Sequence, residues 1–193
     1  MWGRPQKPRA ALTFNMRLFT AIDIDPAVRT KLADLLHRLR PLARLSWTTP
    51  DRMHITTKFI GEWPDDRLEE IKRTLASVGS PGAFDIEISR LGWFPNERHP
   101  RVFWAGVYGG APLESLAHST EEALFKLGVA REQRGYSPHL TLARIREDVP
   151  LDALRREIDA LREIQFGVIR PSAFYLFLSR AGRYTKLAEF QLT

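Results

Sequence analysis

The sequence predicts a mixed α and β protein made of two similar lobes, each ordered β-α-β-α-β, on three observations. Strand-like and helical periodicities alternate along the chain, the order restarts near residue 100, and a His-x-Thr motif occurs at matching places before and after the restart. With 193 residues, 44% of them apolar, the chain suits one globular body whose lobes share a core. No apolar run approaches the ~18 residues of a membrane span, and the start, MWGRPQKPRAALTFN, lacks the apolar core of a signal peptide. A cytoplasmic protein away from membranes is expected. Residues 1–15, rich in proline and basic side chains, read as a flexible extension, and residues 16–193 as a single bilobal domain.

MRLFTAIDI, from Met16, has the β-branched and aromatic content of a strand. In DPAVRTKLADLLHRLR, Asp25 is placed to cap a helix that Pro26 opens, and Val28, Leu32, Leu35, Leu36 and Leu39 recur at helical spacing. RMHITTKFIGE is the next strand. DDRLEEIKRTLASVG is a helix with Leu68, Ile71, Leu75 and Val78 inward, and AFDIEISRLGWF is a third strand.

PRVFWAGVY then repeats MRLFTAIDI: Arg101, Phe103 and Ala105 match Arg17, Phe19 and Ala21, each 84 residues on. A helix, APLESLAHSTEEALFKLG, ends at Gly128, and PHLTLARI places His139 and Thr141 85 residues after His54 and Thr56. The helix PLDALRREIDALRE leads to a strand FGVIRPSAFYLFL and an additional strand RYTKLAEFQL. Two copies related by an approximate twofold bring equivalent strands face to face, which predicts His54 and His139 across one cleft.

Strand side chains alternate between faces. His54, Thr56 and Lys58 should therefore share the cleft face, with Ile55, Thr57 and Phe59 opposite, and the same holds for His139 and Thr141 against Leu140 and Leu142. A lone His-x-Thr is an ordinary half-buried strand pair, but two in matched register offer paired chemistry. An imidazole titrates near pH 6.5, so one can be a neutral base while the other is a charged acid. In-line displacement at phosphorus needs that pair, because nucleophile and leaving oxygen occupy opposite apices. Threonine hydroxyls can donate to the non-bridging phosphoryl oxygens, and Lys58 can add charge.

The chain has no cysteine, which rules out disulfides, thiol nucleophiles and thiolate metal sites. Neither motif lies near a His-Glu-x-x-His or Asp-x-Asp pattern, so no metal is expected. The formal net charge of +6 favours a polyanionic partner such as nucleic acid, although the arginines are dispersed.

Taken together, MRLFTAIDI, HITTKFIGE, GWFPNERHPRVFWAGV and SPHLTLARI resemble the two-histidine (HxTx) phosphoesterase superfamily, in its bacterial RNA 2′,3′-cyclic phosphodiesterase and 2′-5′ RNA ligase branch. The resemblance runs from about Met16 to the C-terminus. It implies a bilobal α+β fold with two antiparallel sheets lining a central cleft and helices outside. It also implies metal-independent, cofactor-free hydrolysis of a terminal 2′,3′-cyclic phosphate to a 2′-phosphate, on RNA that can include tRNA halves joined through a 2′-5′ linkage. In that family's terms His54 matches the proton donor to the leaving 3′ oxygen, His139 the proton acceptor that activates water, and Thr56 and Thr141 the phosphate contacts.

The chain departs from the family pattern at Thr57, where an aliphatic residue is usual, and at Ser137, where a basic residue is common. Arg134, five residues before His139, is a candidate phosphate contact, whereas Arg144 should face away from Thr141 unless a bulge intervenes. His37, His99 and His118 read as surface residues, and no tryptophan or tyrosine is assigned to base stacking. Two other functions fit the motifs: a phosphoesterase for a small cyclic nucleotide or an ADP-ribose cyclic phosphate, and a non-catalytic module that binds RNA ends. A monomer is expected.

Overall fold

In the computed structural model, residues 14–146, 148–161 and 163–192 are described. The elements run β1 (Asn15–Asp23), α1 (Pro26–Leu39), β2 (Ser46–Trp47), β3 (His54–Pro64), α2 (Leu68–Ala76), β4 (Ile86–Phe94), β5 (Val102–Tyr108), α3 (Gly110–Phe125), β6 (His139–Arg144), α4 (Asp152–Asp159), β7 (Gln165–Ile169), β8 (Ala173–Arg180) and β9 (Arg183–Gln191). Two antiparallel sheets result, ordered β3-β1-β8-β9 and β2-β6-β5-β4-β7, and the fold is α+β as expected.

The helices start and stop for local reasons. The Asp25 carboxylate accepts a 2.7 Å hydrogen bond from the Ala27 N–H, so α1 is capped as its sequence predicts, and Val28, Leu32, Leu35, Leu36 and Leu39 are all buried. After α3 the chain reverses at Gly128, whose φ of +95° suits a residue without Cβ. Helix α1 packs on β7 of the second sheet, while α3 packs on β3 of the first and α2 on α3 and β9. One apolar core runs behind both sheets.

The two halves of the sequence are not the two sheets. Strand β4 leaves its own half to pair with β5, and β8 returns from the second half to pair with β1, so each sheet draws on both repeats. The expected single strand over FGVIRPSAFYLFL is two strands in different sheets, β7 and β8. They separate at Pro171, which has no N–H for a ladder and can be tolerated only at a break.

Strand β1 opens at Asn15, the last residue of the expected extension. Asn15 already pairs with Pro64, and Phe14 exchanges hydrogen bonds with Asp65 through backbone and carboxylate. The rest of the expected extension, residues 1–13, lies outside the described residues. Strand β2 is absent from the sequence-based expectation, because two residues are too few to carry a periodicity. No described helix is long and apolar enough to cross a membrane.

Candidate active site

The ladder between β1 and β3 sets the first half of the site. Asp23 pairs with His54 and Ala21 with Thr56, but Thr20 pairs with Lys58, leaving Thr57 as an extra bulged residue. Directly paired residues share a face, so His54, Thr56 and Phe59 lie on the cleft side with Ala21 and Phe19. Thr57 and Lys58 are consecutive and both turn inward. The Thr57 hydroxyl lies 2.7 Å from that of Thr20, so the polar departure from the family pattern is satisfied within the core.

Lys58 therefore corrects the expectation from strict alternation. Its side chain, 2% exposed, points away from the cleft, and its ammonium donates to Glu121 (2.8 Å) and to the Ala130 carbonyl (2.9 Å), with Glu132 at 3.7 Å. It is a buried anchor for the loop leading to β6. The Tyr136 hydroxyl of the same loop donates to the Thr56 carbonyl (3.1 Å), fastening that loop a second time to the first motif.

Strand β6 repeats the arrangement. Gly106 pairs with His139 and Trp104 with Thr141, then Leu142 bulges, and Val102 pairs with Arg144. Leu142 and Ala143 are both buried, so Arg144 joins His139 and Thr141 on the cleft face. The bulges fall at equivalent residues, Thr57 and Leu142, and place Phe59 and Arg144 at equivalent ends of their motifs. Strands β3 and β6 approach across the cleft with Cα atoms within 8 Å.

Both imidazoles are held in the same way. His54 Nδ1 is 2.8 Å from the Arg52 carbonyl, and His139 Nδ1 is 2.8 Å from the Ser137 carbonyl, in each case two residues back along the chain. A carbonyl only accepts, so Nδ1 carries the proton and Nε2 is left free for proton transfer. Aromatic rings wall each histidine. Phe19 (4.7 Å between centroids), Tyr184 (5.0 Å) and Phe177 (6.1 Å) surround His54, and Phe94 (5.0 Å) stands edge-on to His139. Trp104, behind Phe94, lies flat on β4 because residue 92 is glycine; a Cβ there would come within 2.2 Å of the indole.

Burial disfavours the charged imidazole at both positions. It pushes His54 down to about 4, with the Arg52 carbonyl and Asp23 opposing and the Arg52 and His139 charges adding to the fall. It also lowers His139, against the Ser137 carbonyl and with help from Arg144. Each group therefore holds a proton less readily in the cleft than in water, and an anion between the two would reverse that.

The chain is similar to several known proteins. The family described as LigT like Phosphoesterase matches residues 22–104. The RNA 2′,3′-cyclic phosphodiesterase of Archaeoglobus fulgidus is 36% identical over 135 residues, covering 70% of this chain and 76% of the relative. The chain belongs to the LigT-like phosphoesterase family. The RNA 2′,3′-cyclic phosphodiesterase of Methanothermobacter thermautotrophicus is 31% identical, covering 92% of this chain and 99% of its own length. The crystal structure of the Thermus thermophilus protein TT0787 superposes with a TM-score of 0.76 at 26% identity, over 92% of this chain and 98% of that one.

For this LigT-like phosphoesterase, four of the six residues expected at the site, His54, Thr56, His139 and Thr141, face one cleft from β3 and β6, and Lys58, although on β3, points away from it. Arg134 is exposed in the loop before β6, with no hydrogen bond or ion pair described for it. His37, His99 and His118 are exposed, as expected. Alternation alone assigns Arg144 to the wrong face. Its signal is Leu142-Ala143, two successive apolar residues where a half-buried strand should show one. Phe59, 53% exposed and 6.3 Å from Phe19 between ring centroids, is misplaced by alternation for the same reason.

Proposed function

We propose that the protein is an RNA 2′,3′-cyclic phosphodiesterase. The observation that carries this reading is the mirrored pair of histidines, each with Nδ1 tied to a backbone carbonyl and Nε2 free, beside a threonine on the same strand face. His139 Nε2 takes a proton from water as its oxygen attacks phosphorus. The bond from phosphorus to the 3′ oxygen breaks, His54 Nε2 gives its proton to that oxygen, and the phosphate remains on the 2′ oxygen. Thr56 and Thr141 donate to the non-bridging oxygens, and Arg144 supplies positive charge. Ser137 contributes its backbone carbonyl to His139, and the positive charge on that face comes from Arg144. A 5′-hydroxyl of a second RNA half can take the place of water and give a 2′-5′ linkage.

The test is an oligoribonucleotide ending in a 2′,3′-cyclic phosphate, incubated in excess EDTA. Turnover to a 2′-phosphate end is expected, since acid and base are both protein side chains. An exclusively 3′-phosphate product would reverse the assignment of the two histidines. Activity lost in EDTA and restored by a divalent ion would replace this mechanism with a metal-dependent one.

The depressed imidazoles predict the pH dependence. Turnover requires one histidine charged and the other neutral, and in the free enzyme His54 releases its proton near 4 and His139 below its usual 6.5. The plot of kcat/KM, which reports the free enzyme, should be a bell with its maximum below pH 6.5, the limbs belonging to the coupled pair. The anionic phosphate raises both groups once bound, so the kcat profile should lie at higher pH. A kcat/KM that climbs steadily through pH 8 would contradict the acid role.

A further inference from the structure

Where β6 ends beyond Thr141, the second sheet borders a basic pocket. Three guanidiniums, those of Arg44, Arg144 and Arg146, line a cavity of about 400 Å³ together with Leu45, Ser46 and Val149. Their convergence follows from the ladder. Arg144 is on the cleft face, Ser46 of β2 pairs directly with it and so shares that face, and Arg44 lies two residues before Ser46. Past β6, Ile145 is buried and Arg146 exposed, so Arg146 falls on the same side. Along β6 and just past its end the chain thus presents His139, Thr141, Arg144 and then Arg146.

Among the described residues, none of the three arginines has an ion pair or a side-chain hydrogen bond, whereas Arg29, Arg38, Arg67, Arg131 and Arg170 all pair with carboxylates. Three like charges gathered at one cavity repel one another, and a bound anion relieves that repulsion. Arg144 is three residues beyond Thr141, about 10 Å along the strand. That is too far for one phosphate to sit at both Thr141 and the heart of the pocket, but it suits the neighbouring phosphate of the same chain. The fork of a guanidinium matches phosphate oxygens two at a time.

We propose that this pocket holds the phosphodiester one step back along the strand from the cyclic end, making the enzyme selective for oligoribonucleotides over cyclic mononucleotides. The inference rests on the hydrolase reading given above and adds its substrate class. Arg44 and Arg146, at the far side of the pocket from Thr141, stabilise the bound strand and take no part in bond breaking, so their contribution appears only when a second phosphate is present.

The experiment compares a tetraribonucleotide ending in a 2′,3′-cyclic phosphate with a 2′,3′-cyclic mononucleotide, using the unaltered protein and the double variant Arg44→Gln/Arg146→Gln. Both replaced side chains are exposed, so the fold is retained. The expected result is a fall of about tenfold in kcat/KM for the tetranucleotide, with the mononucleotide unchanged. The slope of log kcat/KM against log salt for the tetranucleotide should also become shallower by about 0.7, the value for one phosphate of a single strand. Equal losses on both substrates, or no loss on the tetranucleotide, would overturn the pocket while leaving the hydrolase reading intact. Failure of the unaltered protein to turn over either substrate would overturn the hydrolase reading, and this inference with it.

Discussion

Replacing either catalytic histidine should nearly abolish turnover: His54→Ala and His139→Ala are each expected to lower kcat by at least ~100-fold, the range for losing a positioned acid or base. The double variant should be little worse than either alone, because acid and base act in one step. The two losses can be told apart by the leaving group. With an activated phosphodiester such as a nitrophenyl ester, the departing oxygen needs no proton, so His54→Ala should recover much of its rate while His139→Ala should not. The urea midpoint guards against misfolding, since His54 packs on Phe19, Phe177 and Tyr184. Near-normal turnover in a folded variant would remove that histidine from the mechanism, and rescue of the His139 variant instead would exchange the two roles.

The largest effect on stability is expected at Lys58. Lys58→Met strips the Glu121 carboxylate and the Ala130 carbonyl of a buried ammonium donor. Breaking such a pair on one side costs about 3–5 kcal/mol. Glu121 keeps its bond from the Glu132 N–H and some exposure to solvent, so the lower end of that range is expected, read from urea unfolding. A second change, Glu121→Leu, should restore part of the loss, because an apolar pair can replace a buried ion pair at little cost. The single variant should also lower kcat, since the loop from Ala130 to His139 is tied to β3 through Lys58 and Tyr136. A Lys58→Met protein as stable as its parent would show that the ion pair adds nothing to the fold.

Lys58 and Arg144 together mark the limit of what the sequence reveals. The duplicated His-x-Thr, with its 85-residue offset, locates the four residues that face one another and predicts which lobe carries each. Helix α1 is legible down to its buried positions, since capping and periodicity are local properties. Counting by twos, however, assumes an unbroken strand. One bulged residue in each motif, Thr57 and Leu142, inverts the side chains that directly follow it, so Lys58 is expected in the cleft and is buried, while Arg144 is expected outside and faces the cleft. The exchange of β4 and β8 is equally hidden. A strand's composition reports that it will be buried but not which distant partner will bury it.

That exchange governs when the protein can first work. Strand β1 has β3 on one side and β8 on the other, and its pairing of Arg17 with Ser179 spans most of the chain. Contacts of such long range make folding slow, because the loop must close before any bond repays the lost entropy. On the ribosome the consequence is sharper. When the segment bearing His54 emerges, one edge of β1 lacks its neighbour, and it stays open until residues 173–180 have been synthesised. A nascent chain halted after the second motif would hold both histidines, both threonines and Arg144, yet half of its first sheet would be missing. Cutting the chain at the 95–100 turn would leave two fragments, neither containing a complete sheet. Activity would then appear only on mixing them, with a rate that rises with the concentration of each.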